Sequence, residues 1–221
     1  MNLPSNLFSD TILYTATLLF ALSLAWALFK APWHMLKQLE NTNSLLGFSV
    51  LLMLLWSMKA GVHPGMTFHL IGATLFTLMF GWQFAIISMS LVLLATTAYS
   101  GIDWWSIPLN GMVMVVLPVQ ITRATLNIAV KYLPHHFFVY SMFNGFLSGA
   151  FTMAAVVMTS IVLLLFFGGY TWPFITHKFL PFLPLMMFAE AFFSGMLITG
   201  MILFRPEWVM TFDDKRYLHG K

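Results

Sequence analysis

Long apolar segments separated by short polar breaks constrain this chain more than any other feature of its sequence. We count seven such segments, at residues 11–29, 44–58, 67–81, 84–99, 107–122, 136–167 and 181–204. The breaks carry proline, glycine and charged residues, which end helices and mark loops. A helix needs roughly 20 apolar residues to cross the hydrocarbon core of a membrane. The pattern therefore predicts an all-α polytopic membrane protein, one transmembrane domain over residues 1–221, built as a bundle of about seven transmembrane helices.

The composition supports this class. Charged residues make up only 8% of the chain and hydrophobic residues 60%, whereas a soluble domain carries about 25% charged residues. So few charges do not cover a water-facing surface. The basic residues occur singly and form no patch, so the net charge of +3 does not predict nucleic-acid binding. The chain has no cysteine, which excludes disulfides and thiolate metal sites.

The basic residues predict the orientation. Seven spans put the two chain ends on opposite sides of the membrane. With the N-terminus outside, eight basic residues fall on the cytoplasmic side: Lys30, Lys37, Arg123, Lys131, Arg205, Lys215, Arg216 and Lys221. Only Lys59 and Lys178 then fall outside, as the positive-inside rule requires. We therefore expect an outer N-terminus and a cytoplasmic C-terminus in the cell inner (plasma) membrane. The N-terminal residues lack the positive start of a signal peptide, so we expect the mature chain to begin with Met1.

Two histidines lie close together near the expected outer end of the bundle. The stretch GVHPGMTFHLIG at 61–72 contains His63 and His69, six residues apart. Neutral imidazole is a favoured ligand for nickel, cobalt, copper and zinc, and the amine of Met1 offers another nitrogen on the same side. A spacing of six does not put two residues on one helix face, so only a bent Pro-Gly loop would bring the rings together. The alternative is that each histidine caps a backbone group or faces water.

Two polar side chains fall within the predicted spans. Glu190 lies in the middle of the last span and Asn110 in the fifth. A carboxylate in a membrane is costly and normally faces the bundle interior or a partner. Each residue has two open interpretations, either a gating or cation-path residue or a structural group that joins helices.

Small residues mark possible helix contacts. Ala21 and Ala25 form a small-xxx-small pair on the first span, and Gly145 and Gly149 form a GxxxG pair on the sixth. Small residues let two helix backbones approach closely in a membrane. The Ala21/Ala25 pair is a candidate docking face for a partner, with internal packing as the alternative.

Several short motifs carry a resemblance to a known family. GMTFHLIG matches a Gly-Thr-Ser-x-His-Leu-x-Gly stretch at Gly65, Thr67, His69, Leu70 and Gly72. MNLPSNLFSD, PLNG, AEAFFSG and FRPEWV match further motifs, in order and from end to end of the chain. The chain thus resembles the CbiM/NikM-type integral membrane component of energy-coupling factor (ECF) transporters for cobalt and nickel.

The resemblance implies a function and a set of partners. Such a component captures a divalent transition metal, in some systems cobalt for cobalamin biosynthesis. A transmembrane coupling protein and cytoplasmic ATPase subunits supply the work, and Ala21/Ala25 corresponds to the face that docks on the coupling protein. The family's square-planar site uses the amine of Met1, the backbone nitrogen and imidazole of residue 2, and the histidine that matches His69. The chain itself has no Walker A motif and is not expected to be an enzyme.

This sequence departs from the family at residue 2, where Asn2 replaces histidine. A carboxamide does not replace imidazole as a ligand for these metals, so one of the four nitrogen donors is absent. His63 is the candidate that would fill the position from the neighbouring loop. The alternatives are a different cargo, a non-transporting membrane interaction protein that has lost the metal site, or an intramembrane enzyme that uses Glu190 or a histidine.

Overall fold

The structure, a computed structural model, describes residues 2–58, 60–101, 103–213 and 217. In this part of the chain the longer elements are α1 (Asp10–Lys30), α2 (Leu39–Ser57), β1 (Ala60–His63), β2 (Met66–Phe68), α3 (Ala73–Ser100), α4 (Trp104–Tyr132), α5 (Phe137–Phe166), α6 (Trp172–Lys178) and α7 (Leu183–Phe204). Short 3₁₀ turns occupy Ser5–Leu7, Trp33–Lys37, Leu180–Phe182 and Pro206–Trp208. The two strands form one antiparallel hairpin.

Most of the long helices are able to cross a membrane. Within the described residues, five stretches are long and apolar enough to do so, namely α1, α3, α4, α5 and the continuous stretch Trp172–Phe204 that contains α6 and α7. These stretches confirm a helical, polytopic membrane protein. The count of seven spans and the orientation stay predictions. Four basic residues used for the orientation, Lys59, Lys215, Arg216 and Lys221, lie outside the described residues.

The predicted segments 67–81 and 84–99 meet within α3 at Gly81. This glycine has φ 78° and ψ 161°, a backbone conformation that residues with a Cβ rarely adopt. The carbonyl of Met79 accepts the Met210 N–H at 3.0 Å, so Gly81 lies beside the C-terminal segment. The residues on either side of α3 contact the N-terminal segment, residues 2–5. Thr67, before the helix, bonds to Asn2, and Asp103, after it, bonds to Ser5. The chain therefore runs away from the N-terminal segment over 73–80, turns at Gly81, and returns over 82–100.

The predicted segment 67–81 is helical only in part. The apolar pattern predicts a helix from residue 67, but the helix begins at Ala73. The boundary was wrong because residues 66–68 pair with β1 and Gly72 takes the left-handed conformation at φ 71°. Non-helical backbone therefore lies inside the bundle, where protein groups have to satisfy its N–H and C=O groups.

Two helices contain π-helical turns, at Met112–Val116 in α4 and at Tyr140–Leu147 in α5. The second π turn packs on α7. A Cβ added to Gly145 would lie 3.1 Å from the Cα of Gly195, and one added to Gly149 would lie 3.1 Å from the Cα of Ala191. The predicted GxxxG pair thus makes the antiparallel α5/α7 contact, which we call the α5/α7 seam.

A cluster of hydroxyl groups joins α3, α4 and α5 in the core. Thr74 Oγ1 lies 3.1 Å from both Thr122 Oγ1 and Thr152 Oγ1. Thr125 Oγ1 lies 2.7 Å from Ser148 Oγ. Each of these hydroxyl groups bonds to a backbone carbonyl or to another hydroxyl of the cluster. The cluster therefore places polar groups in the interior of the bundle with their hydrogen bonds made.

Candidate functional site

The N-terminal segment is held against three parts of the chain. The Asn2 N–H donates to Thr67 Oγ1 at 2.8 Å, and the Ser5 N–H donates to Asp103 Oδ2 at 2.8 Å. Leu3 between them is fully buried. Residues 2–5 are thereby fixed beside the hairpin and the start of α4.

Asn110 provides the third anchor. Its Oδ1 accepts the Leu3 N–H at 2.8 Å, and its Nδ2 donates to the Leu3 carbonyl at 3.0 Å and to the Ser106 carbonyl at 3.0 Å. The carboxamide thus pairs with the backbone of residue 3 as a neighbouring strand would. Of the two interpretations of Asn110, this geometry supports the structural one.

His69 lies two residues after Thr67 and is 8% exposed. Its Nδ1 lies 3.0 Å from the Leu70 carbonyl, and its ring lies 5.5 Å from the Trp56 ring. A carbonyl only accepts hydrogen bonds, so Nδ1 carries the proton in this contact. Where the imidazole is neutral, this tautomer puts the lone pair on Nε2, and a backbone carbonyl commonly orients metal-ligating histidines in this way.

Glu190 binds the backbone just before the helix that follows His69. Its Oε2 accepts the Ile71 N–H and its Oε1 accepts the Gly72 N–H, each at 2.8 Å. Glu190 is fully buried, and the N-terminus of α3 begins immediately after Gly72. A helix N-terminus favours a negative group, so Glu190 joins α7 to the non-helical backbone behind His69.

His63 has a different environment. It lies on β1, opposite Met66 in the hairpin, and is exposed. Its ring lies 5.0 Å from the Phe174 ring of α6. No hydrogen bond or ring contact joins His63 to His69, both of which are described residues. Within the described ranges, moreover, no three histidine, aspartate or glutamate side chains lie close enough to hold a metal ion.

The remaining predicted site residues fall into two groups. Met1 lies outside the described residues. Ala21 and Ala25 are exposed on α1, where only Leu13, Ala16 and Ala27 are buried. The structure therefore brings Asn2, His69 and Asn110 to one end of the bundle with Glu190 behind them, and leaves His63 at the surface of the hairpin.

Three residues of this site were not singled out from the sequence. Asp103 also accepts the Trp105 N–H at 3.2 Å, which is the behaviour of an aspartate that begins a helix. Its place before an apolar run was a usable signal. Thr67 is marked in the sequence only by the family motif. The Trp56 indole donates to the Ile71 carbonyl at 3.2 Å, and no motif marks this residue.

The fold is similar to that of two solved structures. One, described as a truncated transition metal transporter, has a TM-score of 0.72 and 18% identity, and the match covers 92% of this chain and 98% of that chain. The other, described as a transition metal transporter, has a TM-score of 0.63 and 18% identity, with 94% and 92% covered. A comparison with curated proteins found no match.

The family comparison covers nearly the whole chain. The model described as "CbiM: Cobalt uptake substrate-specific transmembrane region" matches residues 2–208. That range contains the N-terminal segment, the hairpin, His69, Asn110 and Glu190. The resemblance carried by the sequence motifs is thereby confirmed, and the chain belongs to the CbiM family.

Proposed function

We propose that this protein is the membrane subunit that captures a divalent transition metal, nickel or cobalt, for uptake by an energy-coupling factor transporter. It would work in the inner (plasma) membrane with a transmembrane coupling protein and cytoplasmic ATPase subunits. We further propose that the N-terminus faces outward, so that the metal enters beside residues 2–5 and His69.

One observation carries this proposal. The backbone nitrogen of Asn2 is held at Thr67, two residues before the buried His69. β2 ends at Phe68, one residue before His69. In an extended chain residues i and i+2 face the same side, so we expect His69 to face the N-terminal segment as Thr67 does. His69 Nε2 and the backbone nitrogen of residue 2 are thus the candidate donors, together with the amine that the family resemblance assigns to Met1.

The donor chemistry fits a nitrogen-rich site with one imidazole. An imidazole, a backbone nitrogen and an amine suit Ni(II), Co(II) or Cu(II) better than calcium or magnesium, which take oxygen ligands. The backbone nitrogen of Asn2 would have to lose its proton, and with it the hydrogen bond to Thr67, before it could bind a metal. Binding should therefore release at least one proton, as is general for ligands that bind deprotonated.

Metal titration of the purified protein by calorimetry tests the proposal. Nickel and cobalt should bind to the wild type, and His69→Gln should abolish binding. His63→Ala is the matched control, because His63 is exposed and contacts Phe174. Retained binding in His63→Ala would mean that His69 acts without it, whereas loss in both variants would mean that His63 completes the site. Titration in buffers of different ionisation enthalpy measures the released proton.

Asn2 favours a second candidate function. The exchange of the family's histidine for Asn2 is expected in a non-transporting membrane interaction protein that keeps the fold and has lost the metal site. That candidate predicts no nickel or cobalt binding in the wild type and a gain of binding in Asn2→His. The same titration series therefore separates the two candidates.

The partner surface is also a proposal. Ala21 and Ala25 lie one turn apart on the exposed face of α1, next to Leu18 and Leu22, which are 62% and 59% exposed. A partner helix could approach the α1 backbone closely there. Ala21→Phe should reduce co-purification with the coupling protein while leaving metal binding unchanged. Leu203→Phe, at an exposed position of α7, is the control for a bulky residue placed elsewhere.

A further inference from the structure

The α5/α7 seam carries buried polar atoms that have no hydrogen-bond partner among the described residues. They are both amide atoms of Asn144 and the hydroxyl oxygens of Ser141 and Ser194. The three residues are 1%, 2% and 0% exposed. Buried polar groups in folded proteins are nearly always bonded, so a cluster of unbonded ones indicates a site for a polar ligand.

The geometry of the seam places these groups together. Gly145 faces Gly195, and Gly149 faces Ala191, so the two helices run antiparallel. In a pair of antiparallel helices, the residues that directly precede two facing residues project to the same side of the contact. Here these residues are Asn144, before Gly145, and Ser194, before Gly195. Asn144 and Ser194 therefore face one space, separated along the helix axes by roughly 3 Å, from two residues of 1.5 Å rise.

The neighbouring polar groups on α5 are already bonded. Ser148, one turn after Asn144, contacts Thr125 at 2.7 Å, and Thr152 contacts Thr74 at 3.1 Å. Ser141 lies about one turn before Gly145 on the same face. Ser141 and Asn144 thus lie within the π-helical turn Tyr140–Leu147, a type of distortion that is frequent at functional sites, and Ser194 lies across the seam on α7.

The chemistry of the cluster selects the ligand. Asn144 offers two N–H donors and a carbonyl acceptor, and each serine hydroxyl both donates and accepts. A metal ion would satisfy the oxygen atoms but would leave the Asn144 N–H groups unbonded. Neither Asn144, Ser141 nor Ser194 carries a charge to balance an ion. Water donates and accepts, and a buried water typically makes about three hydrogen bonds.

We propose that the α5/α7 seam contains an internal water site in which Asn144 and Ser194 share bound water. Ser141 extends the site along α5. The site continues the bonded threonine and serine cluster of the core, so that a line of polar groups follows α5 from Thr152 to Ser141. This inference does not depend on which cargo the protein carries.

A double-mutant cycle tests the shared water. Asn144→Leu replaces the carboxamide by an apolar group of similar size, and Ser194→Ala removes one hydroxyl. If the two residues share water, each single variant should lower the midpoint of thermal unfolding in detergent by roughly 2–4 °C, the shift that about 1 kcal/mol produces in a chain of this size. The double variant should then lower it little further, because the second change removes a bond already lost.

Ser90→Ala is the matched control. Ser90 is buried in α3 and donates to the Ile86 carbonyl at 2.6 Å, away from the seam. Its effect should simply add to that of Asn144→Leu. If Asn144→Leu does not fold, a cycle of Ser141→Ala with Ser194→Ala asks the same question with smaller changes.

The outcomes are separable. Lowered midpoints in the single variants with a non-additive double variant support the shared site. Raised or unchanged midpoints would mean that the groups are unbonded in a dry seam, since removing an unsatisfied buried polar group stabilises a protein or leaves it unaffected. Lowered but additive midpoints would mean separate partners. Either of the last two results overturns the proposal.

Discussion

Leu3 and Asn110 pair as two strands of a sheet do, with the Leu3 N–H bonded to Asn110 Oδ1 at 2.8 Å and Asn110 Nδ2 bonded to the Leu3 carbonyl at 3.0 Å. One side chain of α4 thereby satisfies both backbone groups of a buried residue near the N-terminus. The position of Asn2, and of any ligand that uses its nitrogen, depends on this pair.

Asn110→Ala should release the N-terminal segment. It leaves the buried N–H and C=O of Leu3 without partners, which costs about 1–3 kcal/mol for each group. We expect a lower unfolding midpoint and at least ten-fold weaker nickel or cobalt binding, measured by thermal unfolding and calorimetry. Asn43→Ala, at an exposed position of α2, should change neither. Wild-type affinity in Asn110→Ala would contradict the anchoring role.

Glu190→Gln should destabilise the segment behind His69. Both carboxylate oxygens accept backbone N–H groups, and a carboxamide offers only one oxygen, so its NH₂ would face an N–H donor. A cost of about 1–3 kcal/mol follows from one unsatisfied buried group. Glu207→Gln is the control, because the contact of Glu207 among the described residues is an exposed ion pair with Arg205 at 3.4 Å, worth about 0–1 kcal/mol. Equal unfolding midpoints in the two variants would rule out a role of Glu190 in holding the backbone of Ile71 and Gly72.

Gly149→Ala should open the α5/α7 seam. The added Cβ would lie 3.1 Å from both the Ala191 Cα and the Glu190 carbonyl oxygen, which are backbone atoms that do not move aside. We expect a lower midpoint of unfolding, by roughly 1–3 kcal/mol for an overpacked contact. Gly47→Ala provides the contrast, because nothing lies within 4 Å of a Cβ there. Within α2 it should stabilise the protein by up to about 1 kcal/mol.

Arg123→Leu should loosen the end of the bundle near Lys30. The guanidinium lies 4.6 Å from the Trp82 ring and 5.5 Å from the Trp26 ring, so it links α4 to α3 and α1. Each contact contributes about 0.5–2 kcal/mol. Arg123→Lys keeps the charge but loses planar stacking, and should have a smaller effect. Tryptophan fluorescence and the unfolding midpoint report the change. Identical values for both variants would contradict the smaller effect expected for Arg123→Lys and would show that the charge alone contributes nothing.

The sequence predicted the helical membrane fold because long apolar segments are the direct sign of transmembrane helices. It also predicted the helix contact at Gly145 and Gly149, because a GxxxG pair in an apolar segment has few possible roles. It singled out Asn110 and Glu190 as polar residues within spans, and their part in a functional site stays a prediction. It did not predict the start of α3 at Ala73, since β2 is as apolar as a helix would be. It left the relation of His63 to His69 open, because the fold of a short Pro-Gly loop depends on contacts such as His63 with Phe174.

The partial helix before Gly81 has a consequence for how a cargo site of this kind can change. Because the chain enters the bundle as strand and loop, main-chain atoms of residues 66–72 are held at depth by side chains such as Glu190 and Trp56. Every amino acid except proline supplies the same main-chain N–H. A site built on that framework keeps its geometry when a side chain is exchanged. In the site we propose, the replacement of the family histidine by Asn2 would therefore change the donor set and leave the supporting backbone unchanged.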